Sequence, residues 1–471
     1  MLKQKSSPTR AHLKDTTPWW KCRLELRTRR CRRLEDRLRY AQERIAKLEA
    51  ENVRLRVISD PKAVFNCHYP AQMMALAVFI VLHGGSLRCA AATAGFYAEL
   101  MGWSYSAPSF KTVSNWVKRC GLHALQLTQT ASGEYVGILD ATIQIGKEQL
   151  LLLLGVPLEV ATRLDRPLRV EDVCVLGMEV QNSWNGKRVS GFIERCLARR
   201  ANLKLNYVIC DQGGNLLAAL RALTIPVVND CTHVMMNLVK AIFKDDAALS
   251  EWCKQIGRLR QQLNLTDQAF LLPPSLRDQD RFWRIFTLVD WIERVDEYEL
   301  CAEWRAYLRQ KRSRWLDLRL RQVRELVGRC TKILKHEGLS AQSQDRWVTE
   351  LLDFVNTQKQ VTQAAKTFAQ GMLDYFDKYA EQYHMSPKLS CCSDIIESIF
   401  GRYKNKGGMK AISADVLSIA LYSQPLSVEF VKVAMTQVSG PQVEQWTKTN
   451  VCENRYGIRK RMEKELKDAG P

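Results

Sequence analysis

Nowhere in this 471-residue sequence do apolar residues run for the roughly 20 positions that a membrane-crossing helix needs; Met73 to Leu82 and Leu150 to Val156 are far shorter. No membrane partner is expected. No apolar core follows the basic N-terminus, so no export signal is expected either, and the anticipated location is cytoplasmic, in association with the nucleoid. The fifteen cysteines include no CxxC pair and are scattered, so they read as mostly reduced thiols. Cys391-Cys392 and Cys67-His68 are the nearest approach to metal-ligand spacing, but adjacent residues rarely close one tetrahedral zinc site. Acidic residues are in deficit, 50 Asp and Glu against 70 Lys and Arg, which leaves a formal charge of +20 and a pI near 9.4. Such a charge costs self-repulsion in a compact fold, and a polyanion that releases counterions is the usual reason to keep it. Nucleic acid is the leading candidate for that partner. What is present, 46% hydrophobic and 25% charged residues, describes folded protein, and the length calls for two to four domains.

The positive charge is concentrated. Residues 1–57 hold 17 Lys and Arg against 7 Asp and Glu, half of the chain's excess. Leu34, Leu38, Ala41, Ile45, Leu48, Asn52 and Leu55 recur at alternating steps of four and three, the seam of a two-stranded coiled coil with Asn52 at an a position. A homodimer or higher homo-oligomer is the natural reading; one amphipathic helix docked on its own core is the alternative. Residues 60–130 read as a helix-turn-helix DNA-binding domain. Ala71 to Leu82 is apolar, a break at Gly84-Gly85 follows, and a small-residue helix runs from Ser86 to about Met101. The next helix is capped by Ser109, carries Phe110, Val113, Trp116 and Val117 on one face and ends at Gly121. Its other face presents Lys111, Ser114, Asn115, Lys118 and Arg119, side chains suited to phosphates and base edges in a major groove. A solvated polar face is the competing reading.

From Tyr135 the texture changes. Tyr135 to Asp140, Glu148 to Val156 and Asp172 to Val180 read as strands, Val189 to Ala201 as a helix, and Leu205 to Cys210 as a strand ending at Asp211. A helix through Ala222 and a strand Ile225 to Val228 follow, ending at Asp230. Residues 131–240 thus form the first part of an α/β core, residues 241–385 an all-α insertion, residues 386–435 the return to the core and residues 436–471 a basic C-terminal tail. The insertion holds tryptophans at 283, 304 and 315 as well as Trp252, Trp291 and Trp347, read mostly as core, with stacking of one of them on an extruded base as the alternative. Acids ending neighbouring strands project from one edge of a sheet, as phosphodiester chemistry with two divalent cations requires. A third acid must come from elsewhere. The helix from Ser393 to Lys404 supplies Glu397, with Ile395, Ile396, Ile399 and Phe400 as its packing face. Asp394 shares nearly the same side, but it sits at the helix start, where a carboxylate serves the free backbone N–H groups.

Three strands, a helix, a strand, a helix and a strand, with Asp140, Asp211 and Glu397 placed as they are, resemble the DDE transposases of bacterial insertion sequences and hAT-like elements. That resemblance implies a ribonuclease H (RNase H-like) fold interrupted by an all-α insertion, and a transposase that binds transposon ends and target DNA. It further implies that Asp140, Asp211 and Glu397 are catalytic and bind two Mg2+ or Mn2+ ions. Glu397 and Lys404 match a Glu-x6-Lys signature of some members, while the arginine expected four residues before the Glu is Ser393 here; Arg402 and Lys404 are then DNA-facing. Asp230-Cys231-Thr232-His233 resembles the [C/D]xxH motif of several such families, which gives Asp230 and His233 a supporting role; a core-satisfying histidine is the other reading. Two alternatives stay open, a non-catalytic helix-turn-helix regulator with incidental acids and an RNase H-like nuclease or resolvase without strand transfer.

Overall fold

The computed structural model describes residues 34, 36–49, 61–64, 67–143, 146–200, 202–266, 269–275, 286–291, 293–294, 314–383, 388–405, 411–453 and 455–468. They fall into two compact units: one holds residues 60–234, 330–348 and 375–471, the other residues 1–59, 235–329 and 349–374.

The first unit opens with three helices, α1 (Ala71–Leu82), α2 (Leu87–Leu100) and α3 (Phe110–Leu127), which pack on one another. The serines before α2 and α3 cap them, Ser109 as expected: Ser86 Oγ accepts from Cys89 N–H and Ser109 Oγ from Thr112 N–H. The end of α3 departs from expectation. Gly121 does not terminate the helix, which continues two turns to Leu127 with Leu122, His123, Ala124 and Leu125 buried. A Cβ at Gly121 would lie 2.1 Å from the carbonyl oxygen of Leu417, so this glycine admits a neighbouring backbone and does not stop a helix. Nine residues, 101–109, join α2 to α3, longer than the three or four of a helix-turn-helix. The residues assigned from sequence to a DNA-binding domain lie in the same unit as the sheet, and α3 packs against the turn Ala414–Leu421.

The sheet has five strands, β1 (Gly133–Ile143), β2 (Gln149–Pro157), β3 (Cys174–Gln181), β4 (Leu203–Cys210) and β5 (Val227–Asn229), in the order β3-β2-β1-β4-β5. β1, β2 and β3 pair antiparallel, whereas β1, β4 and β5 run parallel. Parallel neighbours need crossovers, here the helices α4 (Gly186–Ala198) and α5 (Gly214–Ala222). Their Phe192, Ile193, Leu216 and Leu220 close a core on Leu139, Leu151, Leu153, Val208 and Cys210. The short edge strand β5 is finished by side chains: Tyr379 Oη accepts from Asn229 N–H at 2.8 Å, and Tyr375 Oη donates to Asn229 O at 2.6 Å. After β5 comes α6 (Cys231–Phe243).

The longer helices that follow among the described residues are α7 (Ala247–Leu263), α8 (Arg314–Glu337), α9 (Ala341–Thr357) and α10 (Gln363–Lys378). The described part of the second unit is helical apart from loops and 3-10 turns. Leu249, Trp252, Ile256 and Leu259 of α7 are buried, and Trp291 Nε1 donates to Leu271 O. Trp252, Trp291 and Trp347 are core as expected; positions 283 and 304 lie outside the described residues, as does the side chain at 315. On the helix at 36–49, Leu38, Ile45 and Leu48 are exposed. Asn52 and Leu55 of the heptad lie outside the described residues.

In the first unit the chain resumes with α11 (Asp394–Asn405), α12 (Val428–Gln437), α13 (Gly440–Asn450) and α14 (Arg455–Asp468). Residues 436–471 are therefore not a plain tail. A Ser439/Gln442 capping box starts α13, and Cys452 N–H reaches Val180 O at 2.9 Å, covering the outer edge of β3. Among the described residues no helix is long and apolar enough to cross a membrane.

Candidate active site

The parallel pairings place Leu139 beside Cys210 and Cys210 beside Asn229. The next residue along each chain is an aspartate, so Asp140, Asp211 and Asp230 stand in one row; Asp211 and Asp230 directly follow β4 and β5, whereas the strand expected to end at Asp140 continues to Ile143 in its pairing with β2. Alternation explains their direction. Leu139 and Cys210 point into the core under α4 and α5, so Asp140 faces the other side of the sheet. α11 packs against β1. It buries Ile395, Ile396, Ile399, Phe400 and Tyr403 and leaves Glu397 exposed, one helical turn from its start.

Burial, followed by repulsion from Glu397 and Asp211, pushes the Asp140 carboxyl well above the ordinary carboxylate range. The Ala141 N–H, 2.6 Å from Oδ1, and His233 oppose that rise. The three acids expected from the sequence are thus electrostatic neighbours. Asp211 is held locally, its Oδ1 accepting from Gly213 N–H at 2.9 Å. A Cβ at Gly213 would lie 2.9 Å from that same oxygen, so a side chain there would displace the carboxylate.

Asp230 ties these elements together. It is fully buried; Oδ2 accepts from His233 N–H and from His233 Nδ1, both at 2.8 Å, and Oδ1 accepts from Ser393 N–H at 2.7 Å. One carboxylate therefore joins the first turn of α6 to the first turn of α11, which carries Glu397. Burial alone would raise Asp230, but the His233 ring and the two N–H groups outweigh it and leave the carboxyl below its usual range. The Asp230 hydrogen bond lifts His233 to about 9 against the cost of burial, with further help from Asp211 and Asp140. The histidine is cationic at neutral pH and adjoins the acidic row. Backbone joins the same segments, with Cys231 N–H donating to Cys391 O at 2.8 Å.

Asp394 has other partners. Its Oδ1 accepts from Thr232 Oγ at 3.1 Å, and its Oδ2 is ion-paired with Lys335 of α8. Sequence reasoning gave it the helix-start role and missed both partners, since neither is near it in the chain.

The DNA-facing candidates separate. Lys111 and Asn115 are exposed and Ser114 and Lys118 half-buried on the first half of α3. Arg119 is a correction: its Nε donates to Val438 O at 2.5 Å and its Nη2 bonds Met435 O, so the guanidinium closes the end of α12. Helical period put Arg119 on the polar face, and two free carbonyls of a helix more than 300 residues away claimed it. Arg402 is exposed and Lys404 half-buried on α11.

The thiol candidates also separate. Cys67 Sγ meets Arg119 Nη1 at 3.6 Å. Cys391 and Cys392 meet Cys231, which the sequence gave no reason to single out. Among the described residues, Asp230, Cys231 and Cys392 bring metal-ligand atoms to within 4.8 Å of one another, closer than Asp140, Asp211 and Glu397 approach as a set. Comparison with protein-family models finds no matching family, and comparison with curated proteins finds no matching relative.

Proposed function

We propose that this chain is a DNA transposase with an RNase H-like core, cleaving transposon ends and joining them to target DNA through Asp140, Asp211 and Glu397. The observation that carries the reading is the row of acids across adjacent parallel strands, with Glu397 close enough to Asp140 to raise its pKa. The strand order, with β1, β4 and β5 parallel and β2 and β3 antiparallel, supports the RNase H-like assignment.

The donor set fits Mg2+ or Mn2+, hard cations that take carboxylate oxygens and would relieve the repulsion that Glu397 and Asp211 exert on Asp140. Two such ions held by Asp140, Asp211 and Glu397 supply Lewis-acid activation of the attacking and leaving oxygens. The protein's own part is positioning. The sheet fixes Asp140, the Gly213 N–H fixes Asp211, and the buried face of α11 sets the height of Glu397. Asp230 holds α11 against α6 and keeps a cationic His233 beside the acids, where DNA phosphate can approach. Lys111, Ser114, Asn115 and Lys118 on α3 and Arg402 and Lys404 on α11 are the DNA-facing groups of this reading, in a chain of charge +20. The exposed Leu38, Ile45 and Leu48 support pairing of two copies through the 36–49 helix.

The test uses DNA ends taken from either side of the gene. Asp140→Asn, Asp211→Asn and Glu397→Gln should each abolish Mg2+-dependent nicking and joining, with end binding in a gel-shift assay retained. Cleavage that survives any of these changes removes that residue from the site. Hydrolysis without joining, given a 3'-OH donor, assigns a nuclease.

A further inference from the structure

Beside the acidic row, three thiols converge from two distant segments. Cys231 is fully buried at the start of α6 and meets Cys392, which with Cys391 leads into α11; the Cys391 thiol bonds Leu334 O at 3.8 Å. The sulfurs of Cys231 and Cys392 and a carboxylate oxygen of Asp230 all lie within 4.8 Å of one another. Three of the four lone-pair positions of Asp230 are taken by His233 N–H, His233 Nδ1 and Ser393 N–H, which leaves one on Oδ1. A cavity of about 40 Å³ lined by Cys391, Cys392, Lys335 and Asp394 adjoins the cluster. That is room for a water.

We propose that Cys231, Cys392 and Asp230 form a site for a borderline-soft divalent cation of the zinc type, distinct from the carboxylate site, with Cys391 or a cavity water as fourth ligand. Two sulfurs and one oxygen select against Mg2+ and Ca2+, and a four-coordinate ion asks for one donor more than these three. On binding, Cys231 and Cys392 give up their thiol protons to solvent, so the ion and two thiolates are neutral together. The role is structural: the ion fastens the turn that carries His233 to the segment that presents Glu397, adding to the bonds made by Asp230.

The experiment uses the full chain, purified in a reducing, metal-free buffer, with excess Mg2+ to fill the carboxylate site and a weak chelator to suppress single-thiol binding. Cd2+ serves as the probe because its thiolate bond gives an ultraviolet charge-transfer band. One equivalent per chain is expected to raise the band, and an equal amount of Zn2+ to remove it by competition. Cys392→Ser and Cys231→Ser should each weaken binding by more than about 100-fold, above the loss typical of outer-shell changes. Cys89→Ser, at an exposed position, and Asp140→Asn should leave the band intact; the second shows that the ion is not at the acids. Cys392 is only half-buried, so its variant is the one expected to fold if Cys231→Ser does not. Wild-type protein that is folded yet takes up no Cd2+, a band that persists in Cys392→Ser, or a disulfide mapped between Cys231 and Cys392 in freshly purified protein would each overturn the proposal.

Discussion

Replacing Asp230 with asparagine tests how the two helix starts are joined. Asn keeps the shape of Asp but has one acceptor oxygen and an NH2 group. If the oxygen serves His233, the NH2 faces Ser393 N–H, whose nitrogen is 2.7 Å from the present carboxylate oxygen. A buried N–H left without an acceptor costs about 1–3 kcal/mol. The lost charge matters separately. With His233 at about 9 in the folded chain and 6.5 for the free side chain, the shift corresponds to about 3 kcal/mol. Because the folded pKa is raised, this stabilisation is fully present below pH 6.5 and is lost as pH climbs through about 9. The lowered pKa of Asp230 reports the same pair from its other end and is not added. Asp230→Asn should therefore cost about 4–6 kcal/mol at pH 6 and only the 1–3 kcal/mol of the unmatched N–H at pH 10. Urea unfolding in chelator, followed by circular dichroism across that range, reads the difference. A cost that does not change with pH, or one below about 1 kcal/mol at pH 6, would refute the assignment of His233 as the cationic partner.

Other expectations are narrower. Gly213→Ala has an ordinary backbone conformation to adopt, so stability should move by no more than about 1 kcal/mol. Its Cβ displaces the Asp211 carboxylate, and metal-dependent cleavage should fall about 100-fold, checked by single-turnover assays beside an unfolding curve. Asp394→Asn removes a half-exposed ion pair with Lys335 and should cost about 1 kcal/mol with cleavage retained; cleavage lost here and kept in Glu397→Gln would show the third acid to be misassigned by one turn. Arg119→Ala should lower the melting temperature with little change in the salt dependence of DNA binding, whereas Lys111→Ala with Lys118→Ala should flatten that dependence and leave melting unchanged. The reverse pattern would put Arg119 on the DNA.

What could be read in advance was whatever is local. The strand ending before Asp211, the Ser109 cap and the packing face of α11 each follow from a few consecutive residues, whereas β1 runs past Asp140 to Ile143 because β2 pairs with it there. The partners that decide the site are remote in sequence. Asp230 and Ser393 are 163 positions apart, so nothing near Asp230 marks it as the link between α6 and α11. Gly121 looked like a helix end because a glycine that admits a neighbouring backbone and one that stops a helix are the same letter. The thiol cluster was half legible: the adjacent Cys391 and Cys392 stood out, but Cys231, some 160 positions earlier, gave no sign of meeting them.

The bond from Asp230 to Ser393 also bears on the order in which the protein is made. A ribosome that has finished the five strands has released Asp140 and Asp211 but must still synthesise the helices that follow before residues 393 to 397 emerge. Closure of so long a loop is slow compared with local helix formation. On the proposed reading, a prematurely terminated chain ending anywhere in that interval holds two acids and no third. Without Glu397 such a chain is unable to cut, so unfinished copies are harmless to the DNA around them.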